Sequence, residues 1–382
     1  MTRLNASWVT QPATRKVTRA FDASGYQIFF VGGCVRNALL DSKVADIDLA
    51  TDATPEQMTE IGRQAGLRTV PTGIDHGTIT FVVEKIPFEV TTFRTDVSTD
   101  GRRATVAFST SLEEDARRRD FTMNALYATP DGEIRDPVGG LEDLNRRHVR
   151  FIEDPRRRIT EDYLRILRFF RFHAWYGDPQ EGLDPEGLAA CAELAEGLDN
   201  LSRERIGSEM RKLLSANDPA PSVASMEISG VLAHVLPGAD ARVLTRLVHL
   251  EAAMPPSWQR RAAALGGEDP SERWRLSRAD TRMLATLREQ TGSAQGLAAI
   301  AFRHGAEIAR DTALIRAATF EQPLPAGMEK DIDAGAGAVF PVTAADLMPD
   351  LEGPELGRRL KELEEHWIAS GFSLSREDLL NT

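Results

Sequence analysis

Two aspartates separated by a single residue, Asp46 and Asp48, have the clearest chemical potential in this sequence. Residues two apart in a β-strand point to the same face, so both carboxylates would share a face and Ile47 would lie on the other. Adjacent carboxylates repel one another unless a cation lies close to them. Because carboxylate oxygens are the hard ligands that Mg²⁺ prefers, the pair predicts a magnesium site. A solvated pair of aspartates at the end of a strand is the alternative interpretation.

Glu89 is the candidate third member of this site. It alternates with Phe88 and Val90, so we expect its side chain to point away from the apolar face of its strand. If that strand lies beside the strand of the aspartates, three carboxylates converge. Such a layout suits two magnesium ions that activate an attacking hydroxyl and stabilise a leaving phosphate. We therefore predict Asp46, Asp48 and Glu89 as catalytic, with Asp46 and Asp48 as the metal ligands.

A glycine pair, Gly32 and Gly33, ends a strand-like run at 26–33 and precedes Asp46 by fourteen residues. Glycine permits a tight turn or a close approach of the backbone to a ligand. An ordinary turn would use the same residues, so the pair gains meaning only from the carboxylates that follow it.

These residues resemble the signature of polymerase-β-type nucleotidyltransferases, in which GG-x-VR is followed by DIDLAT. Four later segments resemble, in order, the remaining motifs of the class II CCA-adding tRNA nucleotidyltransferases and the related bacterial poly(A) polymerases; they are 117–127, 136–144, 161–172 and 203–210. The segment 346–367 is similar to the C-terminal helix of that family. The resemblance implies a head, neck, body and tail, of which the last three are helical.

The resemblance also implies a nucleotide site. Before residue 150, the residues that it assigns to nucleotide binding are Gly32, Gly33, Arg36, Arg119, Asp120 and Asn124. Of these, Gly33 and Arg36 would line the triphosphate pocket and Arg119 would contact a phosphate. Asp120 and Asn124 would contact the sugar or support the site locally. The residue after Val-Arg is usually Asp in the family and is Asn37 here, which keeps hydrogen bonding but loses the charge.

Asp162 and Arg165 lie three residues apart in a segment of helical period, 160–175, and Arg168 follows one turn later, so we expect them on one helical face. A carboxylate beside a guanidinium offers an acceptor and then a donor. That order matches cytosine and adenine and opposes uracil and guanine, so the pair predicts a protein template for the base. Arg168 and Arg171 would hold phosphates. A surface ladder of ion pairs is the alternative.

The same region is locally basic. Between residues 147 and 171 there are eight Arg against four acidic residues, whereas the whole chain has a formal net charge of −12. We expect this stretch to contact the phosphate backbone at an RNA 3′ end, reading shape rather than sequence.

The predicted secondary structure that must position these residues changes near residue 150. Strand-like runs and a helix precede it, and segments of helical period follow it. The sequence therefore predicts an α+β fold with a mixed α/β nucleotidyltransferase head at 1–150. After it we expect a helical neck for base recognition at 151–216, a helical body at 217–322 and a tRNA-binding helical tail at 323–382. The Gly- and Ala-rich segment 323–341 is the predicted linker.

We predict template-independent addition of CCA to the 3′ end of tRNA from CTP and ATP, with release of pyrophosphate. Poly(A) polymerases of the superfamily carry a basic GRRFRLAHV-like strand where this chain reads GIDHGTITFVVEKIPFEVTTFR, 73–94. The resemblance implies that CC-only enzymes lack a flexible loop between the third carboxylate and the segment 117–127, and 94–109 occupies that interval here at full length. A non-catalytic RNA-binding protein on the same fold is disfavoured, because nothing structural requires three converging carboxylates.

Composition limits the remaining possibilities. The chain has 382 residues, 42% of them apolar, which is enough for a large buried core. Its acidity argues against a surface that binds nucleic acid throughout. No apolar run approaches the roughly 20 residues of a membrane span, and the N-terminal residues lack the apolar core of a secretory signal. Cys34 and Cys191 are too few for a disulfide scaffold. We expect a cytoplasmic protein with no membrane and no obligate protein partner.

Overall fold

The computed structural model describes residues 3–100, 103–252, 254–348 and 350–382. The chain divides into two compact units, Met1–Pro237 and Gly238–Thr382. The first unit contains a mixed sheet followed by helices, and the second is helical in the residues described. The predicted α+β class, with an N-terminal mixed head followed by helices, is therefore confirmed. The finer division at residues 150, 216 and 322 stays a prediction.

A mixed sheet forms the centre of the first unit. Its strands, with those of a separate hairpin, are β1 Ile28–Val31, β2 Asp48–Thr51, β3 Arg68–Gly73, β4 Thr78–Val83, β5 Ile86–Thr92, β6 Arg94–Asp100, β7 Arg103–Phe108, β8 Tyr127–Ala128 and β9 Ile134–Arg135. In the part of the chain that is described, the order across the main sheet is β3-β4-β5-β2-β1-β8-β9. The pair β2–β5 is parallel and the other pairs are antiparallel.

The turn between β4 and β5 sets the register of that hairpin, and the other edge of β5 lies beside the aspartate strand β2. Glu84 and Lys85 both have positive φ, 53° and 69°, as a two-residue hairpin turn requires. The register that follows pairs Val83 with Ile86 and continues to Thr78. Along β5, Phe88 and Val90 are buried while Glu89 is exposed, as the alternation predicts.

Strands β6 and β7 form a two-stranded antiparallel sheet where the sequence predicts a flexible loop at 94–109. Part of that loop, residues 101 and 102, lies outside the described residues. The base of the hairpin is anchored at one turn: Arg94 Nη1 donates to the His76 carbonyl at 2.6 Å. Phe108 packs so closely on Gly77 that a Cβ there would lie 2.8 Å from its ring.

Helices complete the first unit. Their bounds are α1 Ser7–Thr10, α2 Pro12–Ala23, α3 Gly33–Leu39, α4 Pro55–Gln64, α5 Leu112–Arg117, α6 Gly140–Asn145, α7 Pro155–Glu161, α8 Leu164–Tyr176, α9 Pro185–Glu193, α10 Arg203–Leu214, α11 Ala220–Ile228 and α12 Val231–Val235. Helix α8 is central, because its buried aromatic residues pack against Phe121 and Phe151 from the end of the head.

The second unit has its own helices, α13 Ala241–Glu251, α14 Trp258–Leu265, α15 Pro270–Arg273, α16 Arg278–Gly292, α17 Leu297–His304, α18 Ala306–Phe320, α19 Met328–Ala336, α20 Gly353–Ala369 and α21 Arg376–Leu380. Helix α19 lies within the segment predicted as a linker, so that prediction is wrong. The small residues serve close packing instead: a Cβ on Gly335 would lie 2.0 Å from the Ala298 carbonyl oxygen of α17. No helix in the described ranges is long and apolar enough to cross a bilayer.

Candidate active site

The glycine pair forms the turn between β1 and α3. Buried Phe30 and Val31 end the strand, and Gly32 has φ 69° and ψ −122°, a backbone conformation that an L-residue rarely adopts. A Cβ on Gly32 would lie 3.4 Å from Arg119 Nη1. The turn therefore lets the Arg119 guanidinium approach the end of β1, and Gly33 begins α3 beside it.

The two strands that carry the carboxylates are neighbours. Strand β2 runs parallel to β5, and Asp48 pairs in register with Glu89. Register partners of neighbouring strands point to the same face of a sheet, so these two carboxylates share one. Strand β2 begins at Asp48, so Asp46 lies in the irregular segment before it and the strand period does not place its side chain. Asp46 is nevertheless close enough to act electrostatically on Asp48.

Asp48 is held in an unfavourable environment for a charge. Burial raises the pKa of its carboxyl above the ordinary value, Glu89 and Asp46 raise it further, and Arg119 opposes them. A divalent cation between these carboxylates would relieve the repulsion, so the donor set fits Mg²⁺. Among the described residues, no three His, Cys, Asp or Glu side chains are arranged to hold a metal ion. Mg²⁺ commonly takes one or two carboxylates and completes its shell with water and substrate phosphates, so two aspartates suffice.

Arg119 is fixed on two sides and open on a third. Its Nη2 donates to Asp115 at 3.0 Å and its Nε donates to the Tyr127 hydroxyl at 3.1 Å. Within the described ranges, its Nη1 has no hydrogen-bond acceptor and faces Gly32. Burial would lower the pKa of Arg119, but Tyr127 and Asp115 hold it above its ordinary value. A permanently charged guanidinium with free N–H groups is suited to a phosphate oxygen.

Four of the predicted nucleotide-binding residues contact one another. Arg168 is paired with Asp120, whose other oxygen accepts from Asn124 Nδ2 at 2.8 Å. The side-chain Oδ1 of Asn124 accepts from Arg36 Nη1, and Arg36 Nη2 donates to the Tyr176 hydroxyl at 2.9 Å. The Arg36 guanidinium also stacks 4.1 Å from the centre of the Tyr176 ring. These contacts tie α3 and the head to α8, and a direct nucleotide role for these residues stays a prediction.

Asp162 does not lie on one helical face with Arg165, and the prediction that it does is wrong. Helix α7 ends at Glu161 and α8 begins at Leu164, with Asp162 in an extended conformation between them. Its Oδ1 accepts from the Leu164 N–H at 3.1 Å. A short acidic side chain that binds nearby backbone in this way competes with helix continuation.

The second Asp162 oxygen has a partner that the sequence analysis missed. Arg205 Nη2, from α10, donates to Asp162 Oδ2 at 2.6 Å. Arg205 lies in the quoted segment 203–210, but no local pattern singles it out, because its partner is 43 residues away. Each oxygen of a carboxylate has two lone pairs, so Asp162 can still accept from a ligand.

Arg165 is positioned by two backbone carbonyl oxygens and one carboxylate oxygen. Its Nη1 donates to the Arg158 carbonyl at 2.7 Å and to Glu161 at 2.6 Å, and its Nη2 donates to the Arg118 carbonyl at 3.3 Å. Its Nε–H and one Nη2–H have no acceptor in the part of the chain that is described. Arg165 thus has donors left for a ligand.

The basic stretch at 147–171 is largely neutralised by acidic residues that lie elsewhere in the sequence. The ion pairs are Arg150–Asp143, Arg156–Glu193, Arg168–Asp120 and Arg171–Glu209. In the Arg171 pair the Nε to Oε2 distance is 2.5 Å, and the guanidinium also stacks on Phe172. A count of charges along the sequence therefore overstates the field that an RNA would meet here.

Two family models match this chain. A model described as "Poly A polymerase head domain" matches residues 28–150, which contain the site described above. A second, described as "Probable RNA and SrmB- binding site of polymerase A", matches residues 182–242.

The curated relatives share one activity in their names. The CCA tRNA nucleotidyltransferase 1, mitochondrial, of Mus musculus is 33% identical over 400 residues, covering 96% of this chain and 88% of that protein. The protein of the same name from Homo sapiens is 45% identical over 204 residues, 53% of this chain and 47% of that one. A CCA-adding enzyme of Levilactobacillus brevis is 38% identical over 60% of this chain and 56% of its own length. The match thus spans about half the length of several relatives and most of the mouse protein.

Solved structures agree. The CCA-adding enzyme of Bacillus stearothermophilus, solved in complex with CTP, is 28% identical with a TM-score of 0.74, and the match covers 94% of each chain. The Thermotoga maritima CCA-adding enzyme, solved in complex with tRNA, shares the fold at 16% identity with a TM-score of 0.71, over 100% of this chain and 98% of that one. With the mouse relative matched over nearly its whole length, this chain belongs to the family of class II CCA-adding tRNA nucleotidyltransferases.

Proposed function

We propose that this protein adds C, C and A in turn to the 3′ end of tRNA that lacks CCA, using CTP and ATP. The RNA 3′-hydroxyl attacks the nucleotide α-phosphate, a phosphodiester bond forms and pyrophosphate leaves. The observation that carries the proposal is the register pairing of Asp48 with Glu89 beside the Gly32 turn, in a chain that matches a CCA tRNA nucleotidyltransferase over 96% of its length.

The carboxylates Asp46 and Asp48 would hold magnesium in this proposal. When bound, the metal supplies Lewis-acid stabilisation of the charge that develops on the phosphate. Glu89 adds negative charge beside Asp48, which strengthens the attraction for a cation. Arg119 offers its free Nη1 to a phosphate oxygen. The chain thus provides an anionic cluster for the metal and a cationic group for the nucleotide.

Base choice falls to Asp162 and Arg165. The carboxylate accepts from the amino group of cytosine or adenine, and the guanidinium donates to the adjacent ring nitrogen. Uracil and guanine present the reverse order and would leave both groups unsatisfied, which makes rejection strong. Arg205 supports the proposal, because its contact with Asp162 orients that carboxylate.

The decisive test is nucleotide addition with defined substrates. Purified protein is incubated with three tRNA transcripts that end before CCA, after the first C and after the second C. Each nucleotide is supplied alone and then all together with Mg²⁺, and the products are sized and sequenced. We expect C, C and A on the respective transcripts and nothing beyond A. Long runs of A would indicate a poly(A) polymerase, and arrest after the second C would indicate a CC-only enzyme.

Two features of the proposal have separate readouts. Asp41→Asn is a matched control for Asp48→Asn, since Asp41 is an exposed aspartate on the same connection between α3 and β2. A magnesium-dependent rise in Tm for the wild type and Asp41→Asn, but not for Asp48→Asn, would support the metal site.

A cytoplasmic location is also proposed, supported by the two cysteines, which are buried free thiols. The mouse and human relatives are named as mitochondrial, so fractionation of the source cells tests it.

A further inference from the structure

One buried carboxylate, Asp115 of α5, is bonded to the two arginines that directly follow that helix, Arg118 and Arg119. It is 1% exposed. Its Oδ1 accepts from Arg118 Nε at 3.0 Å, and its Oδ2 accepts from Arg119 Nη2 at 3.0 Å. A carboxylate that receives two charge-assisted hydrogen bonds in a buried position fixes its partners far more firmly than a surface pair would.

The Arg119 branch leads to the phosphate side of the proposed site. The Tyr127 hydroxyl donates to Asp115 Oδ2 at 2.7 Å and accepts from Arg119 Nε at 3.1 Å. Each of these three side chains is therefore hydrogen-bonded to the other two. Two edges of the guanidinium are thereby engaged, and Nη1 is left facing Gly32. The orientation of the phosphate-binding donor is thus set by Asp115 and Tyr127.

The Arg118 branch leads to the base side. Arg118 is the residue directly after α5, and its carbonyl accepts from Arg165 Nη2 at 3.3 Å. Arg165 is the proposed donor to the ring nitrogen of the base. Because Asp115 holds the Arg118 side chain against the helix, it also holds the carbonyl that orients Arg165.

We infer that Asp115 is a positioning residue that couples the grip on the nucleotide phosphates to the reading of the base. The inference rests on the proposed function and extends it, since Asp115 touches neither phosphate nor base itself. When the base of a nucleotide does not accept from Arg165, Arg165 shifts and displaces the Arg118 carbonyl that it contacts. Through the shared carboxylate it also perturbs Arg119, so a wrong base costs phosphate contacts as well.

Three substitutions separate the two branches. Asp115→Asn keeps the shape but removes the charge from both branches. Tyr127→Phe removes only the hydroxyl that bonds Arg119 and Asp115, and Arg118→Ala removes only the other branch. Glu113→Gln is the matched control, because it also converts a carboxylate to an amide two residues earlier on α5, where Glu113 bonds Ser111 and, among the described contacts, neither arginine.

The measurements are equilibrium binding of CTP and UTP by calorimetry, which needs no turnover, and single-nucleotide incorporation kinetics. For Asp115→Asn we expect CTP binding about tenfold weaker and CTP-over-UTP discrimination about tenfold lower, as for loss of one charge-assisted hydrogen bond on each branch. Tyr127→Phe should weaken CTP more than UTP, because by this inference UTP has already lost part of the Arg119 contact. Arg118→Ala should lower discrimination with little loss of CTP affinity, and Glu113→Gln should match the wild type.

Several results would overturn the inference. One is an Asp115→Asn variant in which affinity falls and discrimination is unchanged, or the reverse, since either shows that the two branches are independent. If Asp115→Asn does not fold, as judged by circular dichroism, a Tyr127→Phe variant and an Arg118→Ala variant with identical effects would also contradict it. Wild-type protein that binds CTP but adds no nucleotide would contradict the proposed function alone, because the coupling is read from binding.

Discussion

Asp48 and Glu89 occupy paired positions on the parallel strands β2 and β5, so the backbone itself holds two carboxylates on one face of the sheet. The pairing is fixed by buried neighbours, because Leu49 pairs with Val90 in the next register position. A slip by one residue would turn these apolar side chains out of the core. Packing of the core thus compels a like-charge contact that lowers stability when no cation is present.

Replacement of Asp48 by Asn should abolish nucleotide addition and raise the Tm of the metal-free protein. Activity should fall about 1,000-fold or more, because a ligated metal contributes several kcal/mol to the transition state. The Tm should rise because the substitution removes a charge that burial, Glu89 and Asp46 all disfavour. Incorporation assays and thermal unfolding in EDTA measure the two effects. Near-normal turnover, or a lower Tm with intact folding, would count against the assignment.

The pH dependence of this site follows from the same contact. A raised pKa means that Asp48 takes up a proton at a higher pH than an unfolded aspartate, so its unfavourable charge is lost as pH falls through the folded-state pKa. In EDTA, the Tm advantage of Asp48→Asn should therefore be largest near neutral pH and shrink in acid. Magnesium binding to the wild type should weaken over the same range, because the ligand must be ionised. An advantage that is constant with pH would show that charge is not its cause.

The predicted orientation of Glu89 is confirmed because its signal is local, while its catalytic role stays a prediction. Alternation with Phe88 and Val90 fixes the face of the side chain, and the two-residue turn at Glu84 and Lys85 fixes the pairing with β4. The pairing with the aspartate strand β2 is a long-range contact that no local pattern fixes. The predicted placement of Asp162 on one helical face with Arg165 is wrong, because helical period alone does not reveal a side chain that accepts from the backbone at the start of the next helix.

Long-range partners account for the rest of what the sequence could not reveal. Arg205 reaches Asp162 from 43 residues away, and Arg168 pairs with Asp120 from 48 residues away. The charge count at 147–171 and the linker prediction at 323–341 both overlooked partners of this kind. Glu209 and Gly335 acquire their roles only from helices that pack against them, and neither the charge count nor the glycine content shows that packing.

Shortening the segment 97–107 should spare C addition and impair A addition. The resemblance implies that this segment helps to switch the pocket from CTP to ATP. The base of the β6–β7 hairpin that carries it is held by Arg94 at the His76 carbonyl. Addition to transcripts ending before CCA and after the second C gives the two rates. Equal loss of both would mean that the segment has only a structural role.

Breaking the pair between Asp120 and Arg168 should destabilise the protein strongly. In Asp120→Asn the half-buried guanidinium loses its counter-charge, which costs about 3 kcal/mol for a buried pair. Asp131→Asn is the control, since its pair with Arg3 is exposed and should cost at most about 1 kcal/mol. Urea unfolding of both variants measures the difference. Similar small losses in the two would show that the Asp120 network does not stabilise the fold.

Asp162 and Arg205 should act together in base selection. If Asp162 accepts from the amino group of the base, Asp162→Ala should cost about 1–3 kcal/mol of discrimination, so that UTP is incorporated at a measurable fraction of the CTP rate. Arg205→Ala should produce a smaller change in the same direction, because the carboxylate remains but loses the donor that orients it at 2.6 Å.

The two substitutions form a double-mutant cycle. If Arg205 acts only through Asp162, the double variant should discriminate no worse than Asp162→Ala alone. Arg205→Lys should restore part of the effect, because an ammonium keeps the charge but not the planar geometry of the guanidinium. A structural ion pair predicts a different pattern, in which both single variants lose a little stability and keep the CTP-over-UTP preference of the wild type. Incorporation kinetics with each nucleotide, measured on folded variants, distinguish the two patterns.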